Sequence, residues 1–244
     1  MKTVSFVDTD PRSQIDPLYK TNMGSFSIVA QGFNDGLKAI GAYAEPDDAD
    51  FVGICDAFNV GFKYKNKPVF IVGVCEIINT LPKFLVQQVK YYNPIMLGLS
   101  ENVSRLWNLN GVKCETTMPG INCNFWSPGV DKRDGMETVF LFNSFANVRS
   151  GLDLAVEAFS KAFTKNDRTI LVIKNTDSNP VLEKYLSESL RNCNFRYISG
   201  RFSFRDMREL YRTSDYSLNV MRFGTWGLGI HEALACGCIP IVGN

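Results

Sequence analysis

The sequence predicts an α/β protein with two successive domains, each a parallel sheet covered by helices. Three observations carry this. Short apolar runs of buried-strand type alternate with helical stretches along the chain, a Pro/Gly/charge-rich break at residues 127–137 interrupts the alternation, and the same pattern restarts after it. The predicted domains are 1–128 and 136–244. With 244 residues and 45% hydrophobic content, the chain has enough apolar material for two cores.

Before the break, residues 3–7 form a β-rich run, followed by a polar loop and a helix over 26–40. Residues 51–55 and 69–74 are apolar runs of parallel-strand type. A helix over 81–92 carries Pro82 in its first turn, where the missing N–H costs nothing. A strand at 95–99 leads to Ser100-Glu101, which caps a helix ending at Leu109. After the break, 139–142, 170–173, 195–198, 216–220 and 239–242 read as strands. The helices between them cover 151–163, 180–191, 205–213 and 228–235. The first is amphipathic, with Leu152, Ala155, Phe159, Ala162 and Phe163 on one face.

Composition narrows the function. The 26 basic and 25 acidic residues nearly cancel, which argues against a nucleic-acid or anionic-membrane footprint over the whole chain. The seven cysteines are scattered, none spaced as a C-x-x-C zinc or redox pair, and several lie in apolar runs. With no signal-peptide pattern and no run of membrane-spanning length, the expectation is a soluble, reduced, cytoplasmic protein.

Residues 222–242 are the most informative. They read as a loop with three glycines, a helix opening near Leu228, a stop at Gly237 and a buried strand. Glycines ahead of a helix let backbone N–H groups approach an anion, and the helix N-terminus adds partial positive charge. Glu232 lies four residues after Leu228 and three after Gly229, on their face, with its side chain leaning toward the helix opening. A carboxylate accepting from ribose hydroxyls beside a diphosphate on backbone amides is a sound nucleotide-sugar site. Glycine loops without a ligand are also common in doubly wound sheets.

This stretch resembles the donor-binding motif of family-4 type retaining glycosyltransferases (glycosyl transferases group 1). Gly227, Leu228, Glu232, Ala233, Ala235, Cys236, Gly237 and Pro240 match that motif. Residues 203–220 resemble the family's preceding helix and strand, 140–163 its strand, Arg-Lys-Gly turn and helix, and 171–175 its second strand. Glu76 with Leu81-Pro82, Ser100 and Pro119 to Asn122 is similar to landmarks of the N-terminal domain. The resemblance implies the GT-B fold, two Rossmann-like domains facing across a cleft, the first on the acceptor side and the second holding the nucleotide sugar. It further implies a metal-independent hexosyltransferase acting with retention and without a cofactor, the nucleotide-diphosphate sugar being a co-substrate. Its acceptor would be a glycan, a lipid-linked glycan or another group.

The resemblance implies a donor site of Gly24, Arg149, Ser150, Lys174, Thr225, Trp226, Gly227, Leu228 and Glu232, with Arg149 and Glu76 as catalytic candidates. Simpler readings stand beside several of these: a solvated turn for Arg149, a strand-end cap for Glu76, and a helix cap for Gly24-Ser25. The chain departs from the family where Gly224 replaces the first glutamate of the Glu-x7-Glu pair and Ser150 replaces the turn lysine. It also stops at Asn244, where the family's second domain continues, so a truncated second domain is expected. The two substitutions support an alternative, a catalytically degenerate nucleotide- or glycan-binding protein. A third reading, a phage-type DNA-base glucosyltransferase, rests on a similar Glu-x-x-Ala-Cys-Gly-x-Ile-Pro run. His231, the only histidine, reads as a helix residue rather than a base, and Asp8-Thr9-Asp10 as strand-end aspartates rather than a metal site.

Overall fold

The computed structural model describes residues 2–7, 25–54, 69–73, 80–129, 137–144, 148–222, 224 and 226–243. The chain divides into two compact units, Met1–Gly120 with Gly224–Trp226, and Ile121–Phe223 with Gly227–Asn244. Among the described residues each holds one five-stranded, all-parallel sheet.

In the first unit the strands are β1 (Val4–Val7), β2 (Phe51–Ile54), β3 (Val69–Gly73), β4 (Ile95–Gly98) and β5 (Cys114–Thr116), side by side in chain order. The helices are α1 (Ser25–Ala39), α2 (Lys83–Tyr92) and α3 (Glu101–Leu109). Right-handed crossovers that always step the same way along a sheet place their helices on the same face. Accordingly, Leu85, Val86 and Val89 of α2 share one buried cluster with Leu106 and Trp107 of α3, Met96 and Cys114. Asn34 of α1 fastens the sheet edge, its amide accepting from Phe6 N–H and donating to Phe6 C=O, both at 2.8 Å. Ser100 caps α3 as its sequence signals, accepting from Val103 N–H at 3.4 Å. Three-residue β5 was not legible in the sequence, because Cys-Glu-Thr has no apolar run.

The second unit contains β6 (Thr138–Asn143), α4 (Leu152–Ala162), β7 (Thr169–Asn175), α5 (Pro180–Ser189), β8 (Phe195–Ser199), α6 (Phe204–Arg212), β9 (Tyr216–Asn219), α7 (Leu228–Ala235) and β10 (Ile239–Val242). Its strand order is β10-β9-β6-β7-β8, so the winding reverses between β6 and β9. The reversal puts helices on both faces, and strand alternation feeds each face its own core. Phe142, Leu171 and Ile173 join Leu152, Val156 and Phe159 of α4 and Leu182 and Leu186 of α5. Val139, Leu141 and Val172 point the other way, to Tyr211 of α6 and Ala233, Cys236 and Cys238 around α7. Burying a large apolar side chain of this kind contributes about 1.5–3 kcal/mol, so either face alone outweighs the capping interactions.

Local chemistry sets the helix ends. Asn179 caps α5 ahead of Pro180, and Ser203 with Asp206 forms a reciprocal capping box on α6. Both α4 and α7 open instead on a left-handed glycine, Gly151 at φ 73° and Gly227 at φ 70°. Four described cysteines, Cys114, Cys193, Cys236 and Cys238, are buried thiols outside any disulfide, and Cys123 is exposed. Among the described residues no helix is long and apolar enough to cross a membrane.

Candidate functional site

In an open parallel sheet, the strand tops part where the winding reverses, leaving a crevice at the carboxyl edge. Here that place is between β6 and β9. The turn after β6 enters α4, and the loop after β9 enters α7, so two glycine-opened helix N-termini flank the reversal. The leading N–H groups of a helix lie outside its i→i−4 ladder, which makes the pair a natural anion cradle, although the Ile230 N–H of α7 already donates to Gly227 C=O at 2.9 Å.

The two loops are built against each other. A Cβ on Gly151 would lie 2.1 Å from the Val220 carbonyl oxygen, so position 151 requires glycine for space as well as for its positive φ. Arg222 N–H donates to Arg149 C=O at 2.9 Å. The Arg222 guanidinium donates to Val148 C=O at 2.6 Å and forks onto Asp153, Nη1 to Oδ1 at 2.8 Å and Nη2 to Oδ2 at 2.6 Å. These hydrogen bonds hold the Asp153 carboxyl below its usual range. Asp153 sits in the first turn of α4, where its charge alone would oppose an incoming anion; the fork offsets it.

Glu232 lies one turn into α7 and is half-buried. Burial raises its pKa to about 7, while the hydrogen bond from Tyr211 pulls in the opposite direction. Tyr211, 1% exposed, donates from Oη to Glu232 Oε2 at 3.3 Å. The same oxygen accepts from Asn143 Nδ2, at the end of β6, at 2.9 Å. Burial, and next the Glu232 charge, push the Tyr211 hydroxyl well above its ordinary value, so it remains a donor at neutral pH.

Several candidates from the sequence gather at this carboxyl edge. Gly227 and Leu228 open α7, and Glu232 follows one turn on. Arg149 is half-buried in the turn before α4, whereas Ser150 beside it is 1% exposed. Ser150 therefore has its side chain packed inside, and contact with a ligand there would have to come from backbone. Lys174 is the penultimate residue of β7, is 8% exposed, and has Nζ 5.4 Å from the Phe202 ring centre. Burial lowers its pKa, with Asp177 opposing. Trp226 is half-buried in the loop before α7. Gly24, Glu76 and Thr225 lie outside the described residues, as do Asp8 to Asp10. Among the described residues no three or more His, Cys, Asp or Glu side chains converge as a metal set.

The sequence reading missed Tyr211, Asn143, Arg222 and Asp153 as site builders. Tyr211 reads as one apolar position of an amphipathic helix, and its link to Glu232 spans 21 residues. The Arg222–Asp153 fork spans 69 residues, which no local pattern encodes.

No family model matches the chain, and no curated protein does. Solved structures do. A glycosyltransferase from Rickettsia africae is similar at 17% identity and TM-score 0.60, over 90% of this chain and 63% of its own. Anabaena HepE, solved with UDP and glucose, is similar at 11% identity and TM-score 0.67, over 99% of this chain and 80% of its own. Sucrose-phosphate synthase from Thermosynechococcus elongatus is similar at 14% identity and TM-score 0.63, over 89% of this chain and 60% of its own. This chain thus spans less than two thirds of the first and third of these proteins. At such identities the likeness establishes the fold: an α/β chain with two Rossmann-like parallel sheets, as in GT-B glycosyltransferases.

Proposed function

We propose that the second unit binds a nucleotide-diphosphate sugar at the β6/β9 reversal and that the protein transfers the sugar to an acceptor. The observation that carries this is Glu232, a carboxylate one turn into α7, whose glycine-opened N-terminus flanks the reversal together with that of α4. The solved complexes of similar fold support it: HepE holds UDP and glucose, and a pneumococcal O-GlcNAc transferase holds UDP and GlcNAc.

In this reading Glu232 accepts from the ribose hydroxyls. The leading N–H groups of α4 and α7, with Arg149, meet the diphosphate, and Gly227 and Leu228 shape the loop around it, with Thr225 and Trp226 as further donor residues. Lys174 lies toward the donor on the neighbouring strand end, and backbone at Ser150 continues the cradle. The bond between the anomeric carbon and the diphosphate breaks, the acceptor oxygen bonds to that carbon with retention, and the acceptor's proton passes to the departing diphosphate. Stabilising the departing diphosphate with fixed dipoles and one cation requires no metal. Glu76 serves the acceptor side. The acceptor is a glycan, free or lipid-linked, and the protein works in the cytoplasm.

The test is donor turnover by the full-length protein, with UDP-glucose as first donor. Glu232→Ala should weaken UDP binding by roughly 1–3 kcal/mol, the scale of hydrogen bonds to a charged acceptor. Undiminished affinity removes Glu232 from the site. A second reading, a nucleotide-binding protein without transfer, is favoured by buried Ser150 in place of a turn lysine and by Gly224 in place of a carboxylate. UDP binding without transfer or donor hydrolysis over an acceptor panel would select it.

A further inference from the structure

We propose that Tyr211, held by Asn143, is a positioning residue for Glu232: it fixes one carboxylate oxygen and leaves the other for the ligand. The inference rests on reading Glu232 as a nucleotide ligand and names the groups that make it competent.

The geometry gives the tyrosine a defined direction. A phenolic hydroxyl has one proton to donate. Asn143 Nδ2 donates to Tyr211 Oη at 2.9 Å, so the hydroxyl accepts on the β6 side and directs its proton to Glu232 Oε2 at 3.3 Å. Three elements are thereby joined, β6 through Asn143, α6 through Tyr211 and α7 through Glu232, and they include the strand and helix that border the reversal. The ring cannot drift, because Tyr211 is 1% exposed and packs 6.0 Å from Trp126, centre to centre. Gly229 leaves room for the hydroxyl, since a Cβ there would lie 3.1 Å from Tyr211 Oη.

The surroundings set how the carboxylate titrates. On α7 itself His231 precedes Glu232 and Cys236 follows, and α6 presents Tyr211, with Arg208, Glu209 and Arg212 acting on Cys236 farther along. Cys238 acts on Tyr211 from the lead into β10, and β9 contributes Ser217 and Asn219, which do not titrate. Burial favours the neutral acid, and Tyr211 is the hydroxyl that favours the carboxylate. Without it Glu232 would hold its proton to higher pH and offer ribose a poorer acceptor.

The direct experiment is carbon-13 NMR titration of the Glu232 carboxyl in the wild-type chain and in Tyr211→Phe, beside calorimetric titration with UDP, GDP and ADP, following the tightest binder. Tyr211→Phe should move the Glu232 midpoint upward and weaken binding at pH 7.5 about tenfold, with the deficit shrinking by pH 9 as the carboxylate forms in both proteins. If Tyr211→Phe does not fold, Asn143→Leu tests the same link and should raise the midpoint by a smaller amount. An unmoved midpoint, or a binding loss equal at every pH, overturns the proposal and leaves Tyr211 as packing alone. Glu232→Gln separates this from the underlying reading. If it binds nucleotide as wild type, the nucleotide site falls, whereas the midpoint comparison needs no nucleotide.

Discussion

The two sheets are alike in strand number and direction and differ in winding. In the first unit the strands run in chain order, and α2 and α3 share one buried cluster. In the second, the order reverses between β6 and β9, helices cover both faces, and glycine-opened helices flank the reversal. An unreversed order gives no parting of strand tops, while a reversed one gives a crevice lined by helix N-termini. Among the described residues, the same alternation of strand and helix therefore yields a switch-point site in the second unit.

Glycine substitutions should separate the two units most strongly. Gly151→Val imposes a side chain at φ 73° and against Val220 C=O, and should destabilise the second unit by about 3 kcal/mol or more in urea unfolding. Gly32, inside α1, has nothing within 4 Å of where an added Cβ would stand, and Gly32→Ala should stabilise the first unit by about 0.5–1 kcal/mol. Equal responses at the two positions would remove the distinction between a glycine demanded by the reversal and one that is merely tolerated.

The next effect is a pH dependence. Glu232 has its folded pKa raised from 4.5 to about 7, so between these values the folded protein binds more protons than the unfolded chain. Its contribution is then fully present below about 4.5 and declines as pH rises through 7, by up to about 3 kcal/mol. Thermal melts across that window should show Glu232→Gln abolishing the decline, and a wild-type curve unchanged by the substitution would refute the burial of this carboxyl. Smallest is the effect of Arg222→Ala. Losing the exposed fork to Asp153 should leave thermal stability nearly unchanged, yet hydrogen exchange at 148–153 should accelerate, because the turn loses its tie. An unchanged exchange rate there would show that Gly151 packing alone holds the turn.

Much of the second unit was legible because its strands are buried on both faces and so read as continuous apolar runs: Val139 and Leu141 face one core, Phe140 and Phe142 the other. Gly227 and Glu232 were legible from glycine-before-helix chemistry and helical spacing. The reversal itself was not, since strand order depends on which β edges meet, and residues 138–143 look the same whichever neighbour they take. Tyr211 and Asn143 were hidden for the same reason, each being an ordinary local residue whose hydroxyl or amide matters only once β6, α6 and α7 converge. Ser150 was read as a position facing phosphate, and its burial follows from a turn folded onto Val220, far along the chain from Gly151.

Everything proposed for the second unit depends on a nucleotide diphosphate seating at the reversal. Hydrogen–deuterium exchange with and without saturating UDP reads both units in one sample and so decides the matter. Exchange of amides at 149–153 and 227–232 should slow on UDP binding, with α2 and α3 of the first unit unchanged. Unaltered exchange at both helix openings with UDP bound, or protection confined to the first unit, would place the nucleotide elsewhere and refute the assignment.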